Sequence, residues 1–231
     1  MQKPLVEQAA DEIINYIINE NLDSGDKLPN EYQLATQLEV GRSTLREAVR
    51  TLTSRNILEV KQGAGTYVSE NKGISEDPLG FIFVKDTLKL TRDLFELRYI
   101  LEPEVTMLAA RNHTEDQLNE LEQVAIEIEE SMQREDELHL NLDVQFHGII
   151  AKMSRNIAMD HLIPIINQSI SLYNNYYTSE TSKRATVDSH REIVDSIRER
   201  DLFRAKHAMQ LHIIKNQKQL ATIEQWSAKI N

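Results

Sequence analysis

Cysteine is absent from the chain. Disulfides and thiolate chemistry are therefore excluded, which is compatible with a reducing compartment. No apolar run approaches the roughly 18 residues that a membrane span requires. The opening MQKPLVEQAADEII lacks a basic start followed by an apolar core, so no secretory signal is expected. No internal repeat or low-complexity segment stands out, and no H-E-x-x-H occurs. With 40% apolar and 27% charged residues the composition is that of an ordinary globular protein, expected in the cytoplasm. A length of 231 residues allows one large domain or two modest ones.

An excess of basic charge is missing too. The formal net charge is −11, which argues at first against nucleic acid. The field near a contact face matters more than the whole-chain sum. Residues 1–72 carry eight cations and eleven carboxylates, unevenly placed. Between 42 and 62 the cations are Arg42, Arg46, Arg50, Arg55 and Lys61, against only Glu47 and Glu59.

What is present is periodicity. Val6, Ala9, Ala10, Ile13, Ile14 and Ile17 form a helical stripe over Leu5–Glu20. After a turn at Gly25, Asn30 with Gln33 three residues on reads as a capping box for a short second helix. Gly41 breaks the chain again, and Ser43 is a candidate cap for a third helix. There Leu45, Ala48, Val49 and Leu52 share one face. Ile57–Lys61 and Thr66–Ser69 then read as two short strands around a tip with Gly63 and Gly65. Three small helices and a hairpin predict a winged helix-turn-helix over 1–70, whose third helix would enter a major groove.

Residues 71–80, with Gly73, Pro78 and Gly80, read as a linker. From 81 to 231 the pattern is helical throughout. Helices are expected at about 86–112, 115–134, 136–154, 157–178, 184–200 and 201–227, with a short one at 79–84. Short connections predict an antiparallel all-α bundle of six or seven helices, so the chain is mainly α. Pro103 and Pro164 fall inside two of these helices, where kinks are expected.

In LDVQFHGIIAKMS an otherwise apolar helix carries Asp143 and His147 four residues apart, on one face. Two of several metal ligands, a catalytic pair and two surface residues all fit that spacing.

The stretch KLPNEYQLATQLEVGRSTLREAVRTLTSRNILEVKQGAGTYV resembles the DNA-binding head of GntR-type bacterial transcription regulators. Their pattern is an L-P-S/A-E start, a V-S-R-T-x-V-R-E-A-L recognition helix and a Q-G-x-G-T-x-V wing. ELRYILEPEVTMLAA, DVQFHGIIAKMSRN and DSHREIVDSIRERDLFRAKHAMQLHI resemble the all-helical FCD-type effector-binding domain of the fatty-acid-regulator (FadR) subfamily. The resemblance covers nearly the whole chain. It implies DNA contacts from Arg42, Ser43, Thr44 and Arg46, with Arg50 either a further contact or an ordinary solvated helix charge, and candidate wing contacts are Gln62, Gly63, Gly65 and Thr66. Arginine suits this because it forks to guanine and neutralises phosphate. Gly41 replaces the family's usual Ser or Thr, and Tyr32 stands where many relatives are basic.

The resemblance also implies metal ligation by Asp143, His147, His190 and His212. Three imidazoles and a carboxylate suit zinc, nickel, manganese or iron(II), not calcium or magnesium. His113, His139, His161 and His207 do not match ligand positions and read as structural or surface residues. Arg98 and Asn156 are the effector-binding candidates. Arg98 alternatively pairs with Glu102 one turn on, and Asn156 alternatively caps the next helix. The expected protein is a homodimeric, ligand-responsive regulator, commonly a repressor, on a near-palindromic operator of double-stranded DNA. Its effector would be a small carboxylate or sugar acid, and no membrane is involved. A metal-responsive regulator is the alternative. A metal-dependent enzyme is a weaker one, because no further carboxylate is tied to the ligand set.

Overall fold

The computed structural model describes residues 3–70, 73–74, 77–134, 136, 138–167 and 180–230, with backbone alone for 180–182 and 219–230. The chain divides into two compact units, Met1–Phe83 and Val84–Asn231.

The first unit is built on α1 (Leu5–Asn19), α2 (Glu31–Gln37) and α3 (Arg42–Ser54). Ala9, Ala10 and Ile13 of α1 pack with Leu45, Ala48 and Leu52 of α3, and all six are essentially inaccessible. Each fully buried Leu or Ile contributes about 1.5–3 kcal/mol, so this short seam holds the head together. The capping box of α2 is present: Gln33 N donates to Asn30 Oδ1 at 2.9 Å, and Asn30 N donates to Gln33 Oε1 at 3.4 Å. Ser43 is not a cap. Gly41 takes the N-cap position in extended backbone, and its carbonyl accepts from Leu45 N at 2.9 Å, so the helix starts before Ser43.

Strands β1 (Leu58–Lys61) and β2 (Gly65–Val68) pair antiparallel, from Leu58 opposite Val68 to Lys61 opposite Gly65. The loop before α2 lies along the free edge of β2. Leu28 N donates to the Thr66 carbonyl, and Val68 N donates to the Asp26 carbonyl, both at 2.9 Å. The wing is therefore anchored from both sides. A short 3-10 turn at Phe81–Phe83 falls within the stretch expected as a short helix.

The second unit contains α4 (Thr87–Asn112), α5 (Glu115–Arg134), α6 (Leu138–Met153), α7 (Ile157–Ile166), α8 (Glu180–Arg198) and α9 (Leu202–Ile230). Asp86 caps α4 by accepting from Lys89 N at 2.9 Å. Pro103 and Pro164 lie inside helices that continue through them. The expected helix over 157–178 ends at Ile166 in the described chain, with Asn167 as C-cap, and 168–179 lie outside the described residues. Helix α8 begins about a turn before the expected 184. Helix α6 packs against α4, α5 and α7, and α9 packs against α4 and α8. The core runs along Phe95, Leu121, Ile128, Phe146, Ile150 and Met153. Val144 of α6 is half-buried.

Candidate metal centre and nucleic-acid face

Helices α6, α8 and α9 each bring one histidine to the same place. The ligand-capable nitrogens of His147, His190 and His212 all lie within 4.8 Å of one another. All three residues are about 1% exposed. A metal–imidazole bond is about 2.0–2.1 Å, so two nitrogens on one ion are at most about 4.2 Å apart. The cluster is thus near the span of a single ion. Asp143, one turn before His147, places Oδ1 3.2 Å from His190 Nε2. That pair is not aligned as a hydrogen bond: both atoms are buried and unsatisfied, as is His190 Nδ1. Buried polar atoms are rarely left so unless something else completes them. A cation accepting electron pairs from oxygen and nitrogen together would do this, and the donor set fits a first-row transition metal.

The surroundings support neutral imidazoles. Burial holds His212 well below its usual range, and positive potential from His190 and His147 adds to this. Burial pushes His190 down as well, opposed but not cancelled by Asp143. For Asp143 burial acts upward, yet the neighbouring imidazoles, His190 first, hold its carboxyl well below the ordinary range. An ionised carboxylate beside neutral imidazoles is the protonation state that ligation requires. Phe146 stacks on His190 with ring centroids 4.3 Å apart and walls that side. His212 Nδ1 lies 3.3 Å from Ser189 Oγ, and Asn216 Nδ2 lies 3.3 Å from His212 Nε2.

Arg98 of α4 enters this cluster and is 0% exposed. Its Nε donates to Glu102 Oε1 at 2.6 Å, and its Nη2 lies 3.0 Å from His147 Nε2. Arg98 therefore makes the Glu102 pair and also lies against His147. Its Nη1 is buried without a hydrogen-bond partner. Glu102 is the residue the sequence reading missed. Its Oε2 sits 2.5 Å from His147 Nδ1, so a further carboxylate is in fact tied to the ligand set. Burial acts upward on Glu102, but Arg98 and then His147 outweigh it, and the carboxyl is pushed down to about 2. Such a locked carboxylate is a poor general base near neutral pH.

Asn156 stands apart. Its Oδ1 accepts from Met159 N at 3.3 Å as the N-cap of α7, beyond the end of α6. His147 is six residues, about 9 Å along the helix, before that end. His139 is taken up by the turn into α6, its Nδ1 2.6 Å from the Asp136 carbonyl. His113 closes α4, its Nδ1 3.1 Å from the Ala109 carbonyl. His161 is half-buried and His207 is exposed.

In the first unit the exposed face of α3 carries Arg42, Ser43, Arg46 and Arg50, with Thr44 half-buried. The first turn of α2 holds the two leading arginines. Arg42 lies over the Tyr32 ring at 4.7 Å, and Arg46 Nε donates to Glu31 at 2.7 Å. Arg50 bonds Glu47 at 2.7 Å on the same helix. In the wing, Gln62 and Gly63 are exposed, and Gly65 and Thr66 are half-buried. Gly65 has φ +127°, a conformation that side chains rarely adopt, so the position favours glycine; a Cβ there would also displace the flexible end of Lys27. Lys27 and Lys61 flank the Tyr67 ring at 5.8 and 4.9 Å, adding two cations beside the tip.

Comparison with known proteins agrees with both halves. The model of the bacterial regulatory proteins, gntR family, matches residues 5–68, and that of the FCD domain matches residues 93–215. A solved structure of Streptococcus agalactiae GntR is 51% identical, with a TM-score of 0.81, covering 92% of this chain and 99% of that one. The HTH-type transcriptional regulator LutR of Bacillus subtilis is 29% identical over 208 residues, 85% of this chain and 92% of the relative. The HTH-type transcriptional repressor NanR of Salmonella newport is 27% identical over 228 residues, 92% of this chain and 84% of the relative. These are regulators rather than enzymes. The chain belongs to the GntR family of bacterial transcription regulators and carries an FCD domain behind its DNA-binding head.

Proposed function

We infer that this regulator is a homodimer that reads a near-palindromic operator and releases it when a small carboxylate or sugar acid binds at a metal in the FCD domain. The observation that carries this reading is the buried cluster itself. Asp143, His147, His190 and His212 from three helices converge, with Asp143 Oδ1 and both His190 nitrogens unsatisfied, and a buried guanidinium lies beside them. Asp143 and the three imidazoles would hold one divalent ion of zinc, nickel, manganese or iron. When bound, the metal supplies a Lewis-acid anchor for effector oxygens. Arg98 supplies the complementary charge, with Nη1 free to donate to a carboxylate. This buried cation is what favours an organic acid over the metal alone as the signal.

On DNA, Arg42 and Arg46 would read base edges, with Ser43, Thr44 and Arg50 on backbone or base. Gln62, Gly63, Gly65 and Thr66 would bring the wing to the minor groove. The exposed Leu97 and Ile100 of α4 and Phe203 and Leu211 of α9 are apolar surface that a second copy would cover. Repression follows the mode printed for the NanR relative. The effector acts only by binding one dimer geometry better than the other.

The decisive experiment measures metal content of natively purified protein, then operator affinity with metal alone and with metal plus a panel of hydroxy and sugar acids. A shift only when an acid is added supports the reading. A shift with metal alone, and none with any acid, makes the metal the signal. Absence of metal, together with an unaltered effector response in His147→Ala, would remove the site.

A further inference from the structure

The metal reading leaves unexplained why a buried carboxylate and a buried guanidinium both bear on one ligand histidine. A guanidinium carries only donors and an ionised carboxylate only acceptors. These two rules settle the state of the His147 ring between them. Glu102 Oε2 lies 2.5 Å from Nδ1, off hydrogen-bond alignment, and two lone pairs that close would repel, so the proton is assigned to Nδ1. Arg98 Nη2 lies nearer Nε2, at 3.0 Å, than Nδ1, at 3.5 Å, so the lone pair is assigned to Nε2. Glu102 is itself fixed, because its other oxygen accepts from Arg98 Nε at 2.6 Å. The three side chains are 0–2% exposed, so water does not compete for these contacts.

We propose that Glu102 is the positioning residue of the metal site, holding His147 as the Nδ1–H tautomer with Nε2 as its ligating atom. The inference rests on the metal reading above and deepens it. A carboxylate hydrogen-bonded to the far nitrogen of a ligating imidazole orients the ring and makes it a stronger donor. The same geometry gives Arg98 a second part. Its Nη2 contacts the atom that would bind the ion, so metal uptake must move it off Nε2, while its Nε stays on Glu102. The guanidinium is thereby turned loose at one end only, next to where an effector anion would arrive.

Two measurements test this. Long-range proton–nitrogen spectra of the native, chelator-treated protein report the His147 tautomer directly. The expected result is a protonated Nδ1 and an unprotonated Nε2; a protonated Nε2 overturns the proposal. Zinc(II) is then titrated against a chromophoric chelator in native protein, Glu102→Asp, Glu102→Gln and the Arg98→Gln/Glu102→Gln pair. The pair guards against misfolding from a lone buried charge. Zinc affinity should fall about 10–100-fold in Glu102→Gln and the pair, and less in Glu102→Asp. Unchanged zinc affinity in a folded Glu102→Gln protein also overturns it. If native protein takes up no zinc, the metal reading fails instead, and the tautomer alone decides the role of Glu102.

Discussion

At the scale of single residues the centre is dominated by neutral imidazoles in a dry setting. His190 and His212 titrate lower in the fold than in the unfolded chain, where histidine lies at about 6.5. Below that value the unfolded chain binds protons that the fold refuses. Stability from these two groups is therefore complete above about pH 6.5 and declines as pH falls further. Asp143 and Glu102 are depressed carboxyls, so their share is complete above about pH 4 and is lost only below it. Urea midpoints of chelator-treated protein should thus fall from pH 8 to pH 5, well before any carboxylate titrates. A midpoint that holds constant over that range would contradict the neutral assignment. Asp143 and His147 were legible in sequence because an i, i+4 spacing puts two side chains on one helical face. His190 and His212 needed the family resemblance, since nothing local joins positions 43 and 65 residues further on. Glu102 was opaque for a different reason. With Arg98 it makes an i, i+4 pair that reads the same on a solvated face as in a core, and only packing of α4 against α6 distinguishes the two.

At the scale of elements, the short helices of the head follow local chemistry closely. Asn30→Ala removes a side-chain cap and half a capping box, and should cost about 1 kcal/mol in denaturant unfolding of the protein. The α3 start was misjudged because side-chain capping is only one way to begin a helix. Gly41 in extended backbone lets Arg42 open it without any side-chain cap. Helix α2 then sets Arg42 and Arg46 of α3. Arg46→Ala should abolish specific operator binding in a gel-shift titration; unchanged affinity would refute the role. Tyr32→Ala should lower affinity by a few-fold, because an exposed cation–π contact is worth about 0.5–1 kcal/mol. The wing boundaries moved by one residue, within the range where strand ends depend on which carbonyl pairs last.

At the scale of the whole molecule, a net charge of −11 means that operator binding through the proposed α3 and wing contacts must rest on local cationic charge. Its operator affinity should fall steeply with salt, by a slope of about −0.9 per phosphate neutralised. Arg50→Ala tests whether that arginine touches phosphate: contact predicts a slope shallower by about 1. Arg50 already bonds Glu47, so an unchanged slope would mark it as an ordinary helix charge. The two-unit division was visible in sequence as a change from mixed periods to unbroken helix. The expected homodimer came from the family resemblance alone, since Leu97, Ile100, Phe203 and Leu211, which the fold leaves exposed, read in sequence as ordinary apolar positions.

The near-total enclosure of His147, His190 and His212 has a consequence for time rather than affinity. An ion held there would be shielded more from a bulky chelator, which must take over all of its ligands, than from a small acid, which needs one open position. It leaves only when α6, α8 and α9 part, and such openings are rare events in a packed core. The rate of metal stripping should therefore level off as chelator concentration rises, at the opening rate of the bundle; a rate that keeps climbing in proportion would show an open route. On that footing a bound ion would stay with each molecule far longer than a small acid held beside it, and the acid would be the faster signal.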